Sequence, residues 1–142
     1  MTTTNRFVFS NPVSLMKKSR AKPTDAELAI LRVLWQRGPS TVREVWDQIS
    51  PTQKTGYTTV LKLLQIMLEK GLVKRDATSR SHVYEATATE DQTQRQVVGQ
   101  LLERVFAGSA SKLVLQALAV KKASPAELAE IRRLLDEMEG GE

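Results

Sequence analysis

Between positions 55 and 71 the apolar residues recur at helical spacing. At about 100° per residue, Val60, Leu63, Leu64 and Met67 form one stripe, with Leu68 and Tyr57 at its edge. The opposite face carries Thr55, Thr58, Lys62 and Gln65, flanked by Thr59 and Ile66, and Gly71 stands where a left-handed cap would close the helix. The stripe predicts one face against a core and one face of small hydroxyls, an amide and a single positive charge.

Two shorter helices are predicted before it. Thr24 and Glu27 form a capping box, a hydroxyl at the N-cap and a carboxylate three residues on, each satisfying an orphan backbone donor. Leu28, Leu31, Val33, Leu34 and Trp35 give that first helix its apolar face, and Gly38-Pro39 stops it. Thr41 and Glu44 repeat the box and open a second helix with Val42, Val45, Trp46 and Ile49 inward, ended by Ser50-Pro51; Ser40-Thr41 is placed to pair briefly as a strand. After Gly71 the period changes to two. Residues 72–77 read as a strand, 78–81 as a polar turn and 82–86 as the returning strand. Three helices with short polar turns followed by a hairpin make a winged helix-turn-helix.

From residue 89 the chain turns wholly helical. Thr89 and Gln92 cap a helix carrying Val97, Val98, Leu101, Leu102, Val105 and Phe106, which Gly108 ends. A second helix over about 111–120 carries Leu113, Val114, Leu115 and Leu118. Ser124, Pro125 and Glu127 open a third, with Leu128, Ile131, Leu134, Leu135 and Met138 on its apolar side. Three helices of roughly 50 residues in all have too much surface for their volume to bury a core alone. They must pack on a second copy or fold back on the winged helix of the same chain, and homodimerisation through these side chains is the expectation. The fold class is therefore mainly α with a small β-hairpin: a basic disordered tail over 1–22, a winged-helix domain over 23–88 and a helical dimerisation domain over 89–142.

Composition narrows the partners. Charged residues make up 26% of the chain and hydrophobic ones 41%, which fits neither a disordered nor a membrane protein. No apolar run approaches the ~20 residues of a membrane span, and no continuous apolar segment near the start suggests a signal peptide; a cytoplasmic location is expected, without membrane insertion. Met16, followed by Lys17-Lys18, offers a second start for translation. There are no cysteines, so disulfides, thiolate metal sites and a cysteine nucleophile are all absent. The net charge of +5 is uneven: five Lys or Arg and no acid up to residue 23, net +2 over 24–87 and net −2 beyond. Most of the excess sits in the tail, so total charge says little about a specific site.

The candidate chemistry is recognition rather than catalysis. The lone histidine, His82, falls on a hairpin strand with no triad-like context, and the seven glycines are scattered at turns and helix ends rather than gathered in a phosphate loop. No metal or cofactor is expected. Small polar side chains on the outer face of the third helix would let its backbone approach base edges in a major groove roughly 12 Å wide, although a solvated amphipathic helix has the same pattern. Arg80 at the hairpin turn, beside Lys74, Arg75 and His82, is placed either to meet the sugar-phosphate backbone or simply to face water. A winged helix that binds another protein is the rival reading, and no ligand pocket is marked.

The order and spacing of Glu27, Leu34-Trp35, Gly38-Pro39, Thr41-Val42-Arg43-Glu44-Val45, Tyr57-Thr58-Thr59-Val60, Leu63-Leu64 and Lys70-Gly71 are distinctive. With Arg80 to Tyr84, Val105-Phe106, Gly108-Ser109 and the closing helix, they resemble the BlaI/MecI/CopY family of transcriptional repressors over about residues 24–139. The resemblance implies a winged helix reading an inverted-repeat operator on double-stranded DNA and a C-terminal helical dimerisation domain. Its pattern puts DNA contacts at Thr55, Thr58, Thr59 and Lys62 on the recognition helix, Tyr57 at its start and Arg80 in the wing. A homodimer would then present two recognition helices to half-sites one turn of DNA apart, roughly 34 Å. Many relatives carry Lys or Arg where this chain has Thr58 or Leu61, so a shared operator sequence is not implied. In some members a membrane sensor protease signals and the repressor is cut in its dimerisation helix; the corresponding bond here is near Gln100-Leu101, where the characterised type has Asn-Phe. Copper-responsive members bind metal through paired cysteines that this chain lacks.

Overall fold

The computed structural model describes residues 22–78 and 80–141. The tail expected over 1–22 lies outside the described residues except for Lys22, as does Ser79 of the hairpin turn. The described residues form six helices and three short strands: α1 (Asp25–Arg37), β1 (Ser40–Thr41), α2 (Val42–Ile49), α3 (Tyr57–Lys70), β2 (Val73–Asp76), β3 (Val83–Ala86), α4 (Glu90–Val105), α5 (Ala110–Val120) and α6 (Pro125–Gly140). They divide into two compact units after Val97, within α4.

The first unit is a winged helix-turn-helix. Local chemistry sets its helix starts: the Glu27 N–H donates to Thr24 Oγ1 at 3.2 Å while the Thr24 N–H donates to Glu27 Oε1 at 2.9 Å, and Thr41 and Glu44 repeat the exchange. The sheet is antiparallel in the order β1-β3-β2, with Ser40 opposite Tyr84 and Val73 opposite Ala86. The Ser40-Thr41 pairing expected from the sequence is thus present, and it ties the start of α2 to the wing. Ile30, Leu31 and Leu34 of α1, Val42, Val45 and Ile49 of α2, and Val60, Leu64 and Met67 of α3 close on Val73 and Tyr84 to form the core.

Several expectations shift. Ile30 is a core residue, whereas Val33, Trp35 and Leu28 are half-buried against it. Trp46 and Leu63, expected inward, are also half-buried. Both hairpin strands are shorter than predicted. Gly71 adopts φ 82° and closes α3 with a Schellman pair, its own N–H to Leu68 O and the Leu72 N–H to Met67 O, so Leu72 has no donor left for the ladder. At the other end Asp76 Oδ1 accepts the N–H and hydroxyl of Thr78, starting the turn at once. The register ends at Asp76 opposite Val83, which leaves His82 in the turn rather than on a strand.

The second unit, from Val98 onward, is helical. Ser109 caps α5 and a Ser124–Glu127 box caps α6, while Gly108 turns the chain after α4 at φ 81°, its N–H reaching Leu102 O. None of its described hydrophobic side chains is buried. Val98, Leu101, Val105, Leu115, Leu134 and Leu135 are exposed, Leu115 by 65%, and Leu102, Phe106, Leu113, Leu118 and Ile131 are half-buried.

Candidate nucleic-acid interface

The outer face of α3 is built by subtraction. Once Val60, Leu64 and Met67 enter the core, Thr58, Thr59, Lys62 and Gln65 are left exposed on the opposite side. Lys62 forms no ion pair among the described residues. Thr55 departs from the sequence reading: α3 begins at Tyr57, so Thr55 lies on the approach to the helix and not on its face. Gly56, the N-cap, offers no side-chain hydrogen bond. Instead the Trp46 indole N–H donates to the Thr55 carbonyl at 2.7 Å, and the Thr55 N–H donates to Gln53 O at 2.8 Å.

Trp46 therefore organises the entry to α3. Its ring meets Tyr57 edge-on at 6.2 Å between centroids, and the Arg43 guanidinium sits 5.6 Å from the ring centroid. Tyr57, placed near the core by the helical wheel, is 43% exposed, with its ring resting edge-on against Trp46. The Arg43–Trp46 spacing is readable as an i, i+3 helical pair. Nothing local announces that the same indole would hold Thr55.

The wing supplies charge. Lys74 is spent on a cross-strand pair with Glu85 at 3.6 Å, but Arg75 and Arg80 are exposed and carry no acidic partner among the described residues. Tyr57 and Leu61 of α3 and Arg80, Ser81 and His82 of the wing line one cleft of about 290 Å³. Thr41, Val42, Arg43 and Tyr84 complete it. Tyr57 and Arg80 are thus brought together, while Thr58, Thr59 and Lys62 stand outside the cleft on the exposed face.

Glu44, beside Arg43 on α2, is engaged. Glu44 accepts the Thr41 N–H and pairs with Arg37 at 2.7 Å; the Thr41 N–H above all, with the Arg37 charge, holds its carboxyl below the ordinary range. Arg37 in turn donates to Ser40 Oγ at 3.1 Å, fastening the end of α1 to β1. Among the described residues no group of three His, Cys, Asp or Glu side chains converges to hold a metal, and no helix is long and apolar enough to cross a membrane. The Gln100-Leu101 bond lies inside α4.

Residues 23–137 match the profile of a family described as penicillinase repressor. The chain is 32% identical over 120 residues to the transcriptional regulator BlaI of Mycobacterium tuberculosis, covering 82% of this chain and 85% of that one. It is 25% identical over 114 residues to the penicillinase repressor of Bacillus licheniformis, covering 80% and 89%. Among solved structures it is similar to the monomeric form of Bacillus licheniformis BlaI in complex with the blaP half-operator, with 25% identity, a TM-score of 0.45, and coverage of 50% of this chain and 87% of that one.

Proposed function

The chain belongs to the penicillinase repressor family, a family of transcriptional repressors and not of enzymes, and from that premise we propose that it is a homodimeric repressor reading an inverted-repeat operator. The carrying observation is the exposed face of α3 standing beside a wing whose Arg75 and Arg80 have no acidic partner among the described residues. On this reading Thr58, Thr59 and Lys62 meet base edges and nearby phosphates, and Thr55 and Tyr57 act at the entry of the helix, where Trp46 holds them. Arg80 meets the sugar-phosphate backbone, a contact that positions without reading sequence. The apolar residues of α4, α5 and α6 support the second half of the reading. Exposed apolar side chains such as Leu101, Leu115 and Leu134 are a standing cost in water, and a second copy of the chain removes it. Control by a sensor protease cutting at Gln100-Leu101 belongs to the same proposal; because the bond is helical, α4 must first unwind there.

Selection of bound genomic fragments by the purified protein at ~0.15 M salt tests this directly, since non-specific electrostatics are then partly suppressed. An inverted repeat with half-sites about one helical turn apart is the expected outcome. Sequence-independent binding that disappears with modest salt would instead leave only the basic tail at work.

Side-chain variants sharpen the test. Lys62→Ala and Arg80→Ala should both weaken operator binding, Arg80→Ala about equally on operator and unrelated DNA. Its plot of log affinity against log salt should be shallower by roughly one unit, the counterions of one lost phosphate contact. Identical slopes for Arg80→Ala and wild type would remove the wing from the interface.

A further inference from the structure

The cleft between α2, the first turn of α3 and the wing has features that base reading by α3 does not use. Its lining includes cationic or proton-donating side chains from two separate elements, Arg43 from α2 and Arg80 and His82 from the wing, and it includes no carboxylate. At about 290 Å³ it is far larger than the ~30 Å³ share of one water molecule. Arg43 is also held in place. Its guanidinium lies over the Trp46 ring, and Trp46 is itself fixed by its bond to Thr55 O and its edge contact with Tyr57. The acid paired with Arg43 is Asp47, 3.5 Å from Nε and with both side chains largely exposed, a weak surface pair that a phosphate can displace.

We propose that this cleft is a phosphate-oxyanion site that clasps one phosphodiester of the DNA backbone, with Arg43 and His82 as ligands beside Arg80. The proposal rests on the DNA-binding reading above and adds α2 to the surface that reading assigns. Planar guanidinium groups suit a phosphate because two parallel N–H groups meet two oxygens. Two such groups approaching from α2 and from the wing would fix the spacing between the wing and α3 on the duplex. The cleft would thereby set the register in which Thr58, Thr59 and Lys62 reach the groove.

The test uses the full chain and a selected operator duplex, with affinity measured by fluorescence anisotropy across a salt series for wild type, Arg43→Gln and His82→Gln. Arg43→Gln is expected to weaken binding about five- to tenfold near 0.1 M salt, alike for operator and unrelated duplex, and to lower the salt slope by roughly one. In a parallel series, single phosphates of the operator are replaced by neutral methylphosphonates. One replaced position per half-site should weaken wild type and leave Arg43→Gln unaffected, since each change removes the same contact. His82→Gln should lose affinity for the same position. If wild type binds no operator, the DNA-binding reading itself fails. If wild type binds and both variants keep its affinity, slope and methylphosphonate profile, the cleft proposal alone is overturned. Inorganic phosphate at millimolar concentration, against chloride of matched ionic strength, separates the two sources of the ligand. Operator affinity unchanged by phosphate is expected; phosphate binding that is lost in Arg43→Gln while that variant keeps wild-type operator affinity, salt slope and methylphosphonate profile would assign the cleft to a free oxyanion and overturn its role in holding DNA.

Discussion

A chain ending at Val97 should stay folded and monomeric and bind a full inverted repeat about 100-fold or more weakly than the intact protein. Folding should survive because, among the described residues, every hydrophobic side chain of the buried core lies before that residue, from Ile30 to Tyr84, and the division between the two compact units falls there. Stopping at Val97 rather than at the end of the wing keeps two further contacts. The Trp35 indole N–H donates to Ala88 O at 3.0 Å, and Thr93 is buried on the first turns of α4. What is lost is the set of exposed apolar side chains from Val98 to Met138, the surface assigned to the second copy. Two heads joined through it bind the second half-site as an intramolecular event, at an effective concentration in the millimolar range, and linkage of that kind is worth about 10² to 10⁴ in affinity. Sedimentation should therefore show a dimer for the intact chain and a monomer for the fragment, with half-site affinity nearly the same for both. A dimeric fragment, or equal affinity for the full repeat, would exclude these helices as the link.

The second large effect is expected at Lys70, where Lys70→Met should destabilise the winged helix by about 3 kcal/mol, the lower end of the range for breaking a buried ion pair by removing one partner. Glu27 is 2% exposed, and the Lys70 ammonium reaches both of its oxygens, at 3.0 and 2.9 Å, from the last turn of α3. The Thr24 N–H remains as a partner in the variant, which keeps the loss from being larger. Burial pushes the Glu27 carboxyl up, but the Thr24 N–H and the Lys70 charge together more than offset it, so the group titrates below its ordinary value. A depressed folded value means stability that is present above the ordinary glutamate pKa, about 4.3, and lost as pH falls through the lower folded one. Chemical denaturation at pH 7 should thus show the full deficit of Lys70→Met, and the gap from wild type should narrow as the medium is acidified below about pH 4. A deficit under about 1 kcal/mol at pH 7 would mean the pair behaves like an exposed one.

Those two sites show where local pattern suffices and where it stops. Four capping pairs, Thr24 with Glu27, Thr41 with Glu44, Thr89 with Gln92 and Ser124 with Glu127, are legible because donor and acceptor lie three residues apart on one turn. Glu27 has a second role that the same pattern hides, since Lys70 is 43 residues away. Trp46 is similar. Its apolar ring and its place on α2 mark it as inward, yet it is half-buried and uses its N–H to pin Thr55, which ends the run of residues that the helical wheel had carried back to position 55. His82 moved for the same kind of reason: an element end is decided by which backbone donors are already engaged, and periodicity is silent on that.

What the sequence alone determined was the succession of elements, the closing glycine of α3, the exposed Thr58, Thr59 and Lys62, and the apolar character of the three last helices. All of these follow from short-range period and capping, which act within a turn or two of chain. Only the tertiary structure decided that α2 and the wing close on a shared cleft with Arg43, Arg80 and His82 in its lining, that a buried carboxylate ties α1 to the end of α3, and which apolar residues beyond Val97, Leu101, Leu115 and Leu134 among them, stay exposed within one chain. Each of these joins residues tens of positions apart, and such meetings depend on how packed elements exclude water from one another, a property that no local stretch of chain contains.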